Sequence, residues 1–310
     1  MMLPKPIVTA LRGFCMGAAD VVPGVSGGTV ALVFGIYERL LASIGTGSKA
    51  LGHLFKLDVA AARHRLRAVE WFFLVPLLLG ILSAVALLSS VIERLLRDRP
   101  EDMAGLFFGL VAGSIVVTWR GLEERTPGHL GSMAGVGAVT FVLLGFQSGP
   151  VASPPTLAFF GAGAVAICAM ILPGISGSFL LLMMGMYAAV LGAVHERAVI
   201  DLGVFTIGCV AGLALFSTAL NWLLHNHGNA LLAALIGLMV GSLRVLWPWP
   251  HGVGVLGDDE IPSISGTGLG WPQADEAVVP IVLAVAAFAL VVGVSRFAAA
   301  KEHRDHLIQV

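Results

Sequence analysis

Two short phrases in this chain carry residue types that suit an anion. Val22 to Gly28 reads VPGVSGG and Leu172 to Ser178 reads LPGISGS, at an offset of 150 residues. Pro23 and Gly24, like Pro173 and Gly174 in the second copy, stop a helix, because proline lacks an amide proton and glycine tolerates backbone angles that other residues avoid. Ser26, Gly27, Gly28 and Thr29 then open a new arm, and Ser176, Gly177 and Ser178 do the same in the second copy. Amides at a helix start, helped by the helix dipole and by hydroxyl donors, make a seat for a phosphate or a carboxylate. The register continues past the phrases: eight of the 23 positions from Val22 to Ile44 are identical at the offset, and the chain's two tyrosines, Tyr37 and Tyr187, coincide. A duplicated break inside apolar sequence is how membrane transporters built from internal repeats mark a binding site.

The charges are unequal between the copies. Arg12, Asp20, Glu38 and Arg39 lie in the first, whereas Met170, Ala188 and Ala189 occupy the positions matching the last three. Ionisable groups at membrane depth are costly, and they are usually paired or functional. Arg12 is read as the neutralising partner of a bound phosphate, with Asp20 restraining it or carrying a coupling proton, H+ or Na+ being the ions considered. Glu38 and Arg39 are read either as part of that machinery or as interfacial groups that snorkel. Arg120 and Arg244 read first as interfacial anchors and second as phosphate contacts. The histidines sit at loops and helix ends without metal-site spacing, so neither metal nor cofactor is expected. There is no nucleophile cluster, Walker loop or dinucleotide fingerprint, the GxG at Gly161 to Gly163 reading as packing, and an enzyme is not expected.

The elements that hold these residues belong in a bilayer. The chain has 310 residues, 57% of them hydrophobic and 12% charged, with a mean hydropathy of +0.92, too little charge to cover a soluble globule. The long apolar runs lack two-residue alternation, which predicts helices. Six are long enough to cross: Glu70 to Leu88, Met103 to Trp119, Leu130 to Gln147, Leu202 to Leu224, Ala230 to Trp247 and Val278 to Phe297. Ile7 to Ile44 and Thr156 to Val194 are too long for one crossing, and each reads as a re-entrant hairpin or a single broken helix.

Loop charge favours the hairpin. Lys5, Lys49, Lys56, Arg63, Arg65, Arg67, Arg120, Arg125, Lys301 and Arg304 then share one face, against Arg94, Arg97, Arg99 and Arg197 on the other, which puts both termini and the Gly45 to Val69 loop in the cytoplasm. The loop from Pro248 to Ala277 carries Asp258, Asp259, Glu260, Asp275 and Glu276 without a lysine or arginine. The expected fold is an all-α polytopic membrane protein of two inverted-topology repeats, residues 1–150 and 151–310, each a broken hairpin (7–44 and 156–194) followed by three crossings. GLVAGS at Gly109 to Ser114 echoes GLMVGS at Gly237 to Ser242, as a repeat or as ordinary small-residue packing. Cys15, Cys168 and Cys209 lie in apolar stretches and read as plain thiols. With a net charge of −1 and no long basic tract, nucleic acid is not an expected partner, and Arg12 and Asp20 interrupt the first apolar stretch, against a cleaved signal peptide.

MGAADVVPGVSGGTVALVFGIYERLLASI at Met16 to Ile44, with ILPGISGSFLLLMMGMYAAVL at Ile171 to Leu191, resembles the signature of the polyprenyl-phosphate transporter family, PopT, formerly a domain of unknown function. The resemblance covers essentially the whole chain. It implies return of undecaprenyl phosphate, the lipid carrier of envelope polysaccharide synthesis, from the outer to the cytoplasmic leaflet of a bacterial inner membrane. By the matching phrases it implies roles for Asp20, Pro23, Gly24, Ser26, Gly27, Gly28, Thr29, Glu38, Arg39, Pro173, Gly174, Ser176, Gly177 and Ser178. Asp20 stands where Asn is frequent in that family. A phosphate on a long isoprenoid needs a shielded polar cradle while its tail stays among membrane lipids. The alternative is a secondary transporter of a small soluble anion, using the same cradle with no opening to lipid. Oligomeric state is not legible.

Overall fold

The computed structural model describes residues 4–21, 25–55, 57–146, 151, 154–251, 268–272 and 276–308. Pro23, Gly24 and Lys56, and within the long acidic loop Asp258, Asp259, Glu260 and Asp275, lie outside the described residues. Among the described residues the regular elements are helices, apart from one two-residue ladder. The first half runs α1 (Lys5–Asp20), α2 (Gly27–Val33), α3 (Tyr37–Phe55), α4 (Val59–Arg67), α5 (Trp71–Asp98), α6 (Pro100–Gly121) and α7 (Pro127–Leu143). The second runs α8 (Thr156–Ile171), α9 (Gly177–Met183), α10 (Tyr187–His195), α11 (Val199–Ser242), β1 (Pro250–His251), β2 (Gly268–Leu269) and α12 (Val278–Ile308).

Four helices are long and apolar enough to cross a bilayer, α5, α6, α11 and the 278–296 part of α12, and α9 with α10 forms a further apolar pair bent by 107°. α7 and α8 are apolar but shorter. This is a multi-pass membrane architecture. α11 has 44 residues, about 66 Å at 1.5 Å per residue, roughly twice the hydrocarbon thickness. It is divided at His227, whose φ of −142° and ψ of 44° are not helical; the two expected crossings, Leu202 to Leu224 and Ala230 to Trp247, fall on either side.

The loop expected from Gly45 to Val69 is corrected by the structure. α3 continues to Phe55, and α4 occupies Val59–Arg67. Alanine and arginine favour the helix, and the Asp58 carboxylate caps α4 by accepting from the Ala61 amide at 3.0 Å.

Both broken regions turn in the same way. After α2 the Gly35 amide donates to the Leu32 carbonyl and the Ile36 amide to Ala31; after α9 the Gly185 amide donates to Leu182 and the Met186 amide to Leu181. Gly35 and Gly185 have φ of +65° and +70°, the left-handed C′ geometry that makes glycine the favoured residue. That is why the third glycine that the register from Val22 to Ile44 shares at the 150-residue offset, Gly35 and Gly185, is present in both copies.

Helix crossings recur at fixed offsets as well. Gly13 of α1 lies against the Leu77 carbonyl of α5, and Gly80 against that of Ala10. In the second half Gly163 of α8 lies against the Phe205 carbonyl of α11, and Gly208 against Phe160. Ala10 and Gly13 map to Phe160 and Gly163 at 150 residues; Leu77 and Gly80 map to Phe205 and Gly208 at 128. Gly109 and Gly237 share that offset of 128, and each meets the last helix of the opposite half: Gly109 touches Ala284 of α12, and Gly237 touches Met133 of α7. The GLVAGS and GLMVGS echo therefore marks close backbone approach, the packing that small residues permit between helices in lipid. The main core runs through the middle of these crossings and includes Val25, Val30, Tyr37, Leu41, Phe73, Phe107, Ile171, Ile236 and Met239.

Candidate functional site

The two breaks touch each other at the centre of that core. Every residue from Val25 to Ala31 is buried, α2 being enclosed by α1, α6 and α8. The Ser26 hydroxyl accepts from the Gly28 amide at 3.0 Å, capping α2, and donates to the Met170 carbonyl at 3.1 Å. Tyr37 donates its phenol proton to the Ile171 carbonyl at 3.3 Å. In the other direction the Gly174 amide donates to the Thr29 hydroxyl at 2.8 Å. The last carbonyls of a helix have no partner within it, so α8, stopped by Pro173, finds two of its acceptors satisfied by hydroxyls of the opposite break. A side chain at Gly28 would meet the Ile171 carbonyl oxygen at 2.6 Å, which keeps this approach backbone to backbone.

The first amide of α2 is already in use. Gly27 donates to the Asp20 carboxylate at 2.6 Å, and a Cβ at Gly27 would meet the same carboxylate at 2.6 Å. Asp20, expected to restrain Arg12 or to carry a coupling proton, is bonded to the break itself. Arg12 and Asp20 share a face of α1 but stand eight residues apart, about 12 Å along the helix axis. Arg12 is half-buried, and among the described residues no ion pair or hydrogen bond engages its guanidinium.

The second break is more open. No side chain caps α9. Ser176 is buried, Gly177 packs against the Ala166 carbonyl, and the Ser176 and Ser178 hydroxyls lie 2.9 Å apart with Ser178 exposed. Gly174 has φ of +86° and approaches Met239 and Ser242 of α11. Pro173 is fully buried.

Glu38 and Arg39 sit away from the breaks. The Arg39 Nε donates to the Glu70 carboxylate at 2.8 Å, and the guanidinium lies 4.2 Å from the centre of the Phe73 ring. Glu38 and Arg39 line a cavity of about 430 Å³ between α3 and α11, together with Gly35, Ala42, Leu224 and His225. Arg244 donates to the Phe141 carbonyl at 2.9 Å and stacks over its ring, so it closes the end of α7. Arg120 is exposed. Among the described residues no group of three or more His, Cys, Asp or Glu is placed to hold a metal. Tyr37 and Glu70 were not singled out as site residues from sequence. The coincidence of the tyrosines at the offset was the signal for the first; nothing in the sequence pairs Glu70 with Arg39.

The family model VCA0040-like, described as undecaprenyl phosphate translocase-like, matches residues 16–260. The chain belongs to this family. A polyprenyl-phosphate transporter of Vibrio cholerae serotype O1 is 37% identical over 304 residues, covering 94% of this chain and 96% of the relative. Another from Staphylococcus aureus is 32% identical over 260 residues, covering 78% and 86%. No solved structure matches the chain. The relatives are named transporters, in keeping with a family that is not enzymatic, and both phrases fall within the matched residues.

Proposed function

We propose that this protein carries a polyprenyl phosphate, undecaprenyl phosphate in the leading case, across the inner membrane of a bacterium from the outer to the cytoplasmic leaflet. The observation that supports this most is the direct contact of the two breaks, hydroxyl to carbonyl and amide to hydroxyl, within a family of polyprenyl-phosphate transporters. Ser26, Gly27, Gly28 and Thr29 on one side, with Ser176, Gly177 and Ser178 on the other, form the phosphate cradle. Pro23, Gly24, Pro173 and Gly174 make the breaks that expose it. Arg12, a cation at depth without a partner among the described residues, supplies the charge that a phosphate needs in low dielectric. The isoprenoid tail stays in lipid, so the head alone crosses.

The halves are inverted repeats with both termini cytoplasmic, and transport alternates access between their tips. The recurrence of the glycine crossings at fixed offsets supports this reading. The arrangement described is then one of two: the first tip sealed, its leading amide occupied by Asp20, and the second open at Ser178. A phosphate settling on Gly27 must displace that carboxylate, which links head-group binding to release or protonation of Asp20. Glu38 and Arg39 belong to the same coupling apparatus through Glu70.

The test is depletion of the protein in cells lacking other carriers of the same lipid, with outward-facing undecaprenyl phosphate scored by an antibiotic that binds its head group. Exposure rises on depletion if the proposal holds. Unchanged exposure overturns it, and uptake of a small soluble anion by the purified protein in vesicles would favour the other transporter class.

A further inference from the structure

We propose that α4 is a docking surface for anionic phospholipid head groups, independent of the transported lipid. The helix reads VAAARHRLR, and Arg63, His64, Arg65 and Arg67 are all exposed with no acidic residue among them. Among the described residues none of the three arginines has an ion-pair or hydrogen-bond partner. The carboxylates that flank α4 in sequence are engaged elsewhere. Asp58 caps the helix start and lies 3.7 Å from His53, while Glu70 holds Arg39. Three guanidinium charges therefore stand on one short helix with no counter-ion of their own.

The apolar residues around them fit a lipid surface better than water. Ala62 and Val69 are buried, and α4 packs against α3. Leu57, Val59, Leu66 and Phe72 are exposed, Phe72 to 92%. The Trp71 indole donates to the Leu66 carbonyl at 2.7 Å, which joins the end of α4 to the first turn of α5, a 28-residue apolar helix. An aromatic residue at the start of a spanning helix marks the bilayer boundary. A short basic helix beside it, with large apolar side chains at its flanks, lies in that plane with the side chains at the acyl boundary and the arginines at the phosphates. Phosphodiester head groups have the complementary charge at the required depth, whereas a soluble acidic protein would leave the apolar flanks in water.

The experiment uses the full chain in nanodiscs, with Trp71 as reporter after Trp119→Phe, Trp222→Phe, Trp247→Phe, Trp249→Phe and Trp271→Phe. Chain-brominated phosphatidylglycerol and phosphatidylcholine are compared at equal mole fraction. Phosphatidylglycerol is expected to quench Trp71 the more strongly, with a relative association falling about fivefold for each arginine removed, as for basic residues near an anionic surface. Arg63→Gln, Arg65→Gln and Arg67→Gln together should bring the two lipids to parity. Equal quenching before that substitution, or enrichment that survives it, overturns the proposal. Should the tryptophan replacements prevent folding, native mass spectrometry of the chain with all six tryptophans, with and without the three glutamines, counts retained phosphatidylglycerol; unchanged retention overturns the proposal equally. Neither readout involves transport.

Discussion

Ser26 stands between the two halves of the molecule, accepting from its own helix and donating to α8. Its removal as Ser26→Ala leaves the Gly28 amide and the Met170 carbonyl without that hydroxyl in a buried setting. We expect a loss of about 1–3 kcal/mol, read as a lowered unfolding temperature in detergent. Ser178→Ala removes an exposed hydroxyl whose partner is Ser176 and should change stability by less than about 0.5 kcal/mol, while lowering transport if the cradle reading is right. Gly27→Leu drives a side chain into the Asp20 carboxylate, and lipid recycling at normal expression is expected to be lost; wild-type recycling in both Gly27→Leu and Arg12→Ala would remove the cradle. At this scale the phrases were legible because proline, glycine and serine act locally. Their partners were not: that Ser26 bonds to Met170 depends on residues 144 positions apart.

Among the elements, the glycines separate into those that touch a neighbouring backbone and those that face open space. Gly109 and Gly237 are of the first kind, and Gly161 has nothing within 4 Å. Gly109→Leu or Gly237→Leu should part the α6–α12 or α7–α11 crossing and abolish a folded monodisperse peak in size-exclusion chromatography. Gly161→Ala, inside α8, should instead raise stability by about 0.5–1 kcal/mol in thermal unfolding, through helix propensity alone. The spans on α5, α6, α11 and α12 were readable as apolar runs, since lipid demands a minimum length of helix. α4 was missed because a short basic stretch between apolar runs has the charge of a loop; the propensity of alanine and arginine, the Asp58 cap and packing against α3 together make it a helix. The division of α11 was legible in the polar step His225, Asn226 and His227, although the non-helical backbone there is confined to His227.

For the molecule as a whole, the two tips are differently exposed, and that asymmetry is measurable. In a chain whose Cys15, Cys168 and Cys209 are replaced by alanine, Ser178→Cys should react rapidly with a polar maleimide and Ser26→Cys should be protected. Under alternating access, saturating polyprenyl phosphate shifts this ratio toward the Ser26 side; a ratio that never moves with substrate argues for a fixed structure. The amino-acid sequence by itself determined that this chain lives in a bilayer, that it is helical, and that it carries the same break twice, because hydropathy and the proline-glycine stop are properties of a few consecutive residues. Only the tertiary structure decided that the breaks meet, that Asp20 occupies the first amide of α2 in place of pairing with Arg12, and that each half packs its last helix on the other. Those outcomes depend on which surfaces fit once every helix is present, and hydrogen bonds and backbone contacts between distant segments leave no mark on local composition.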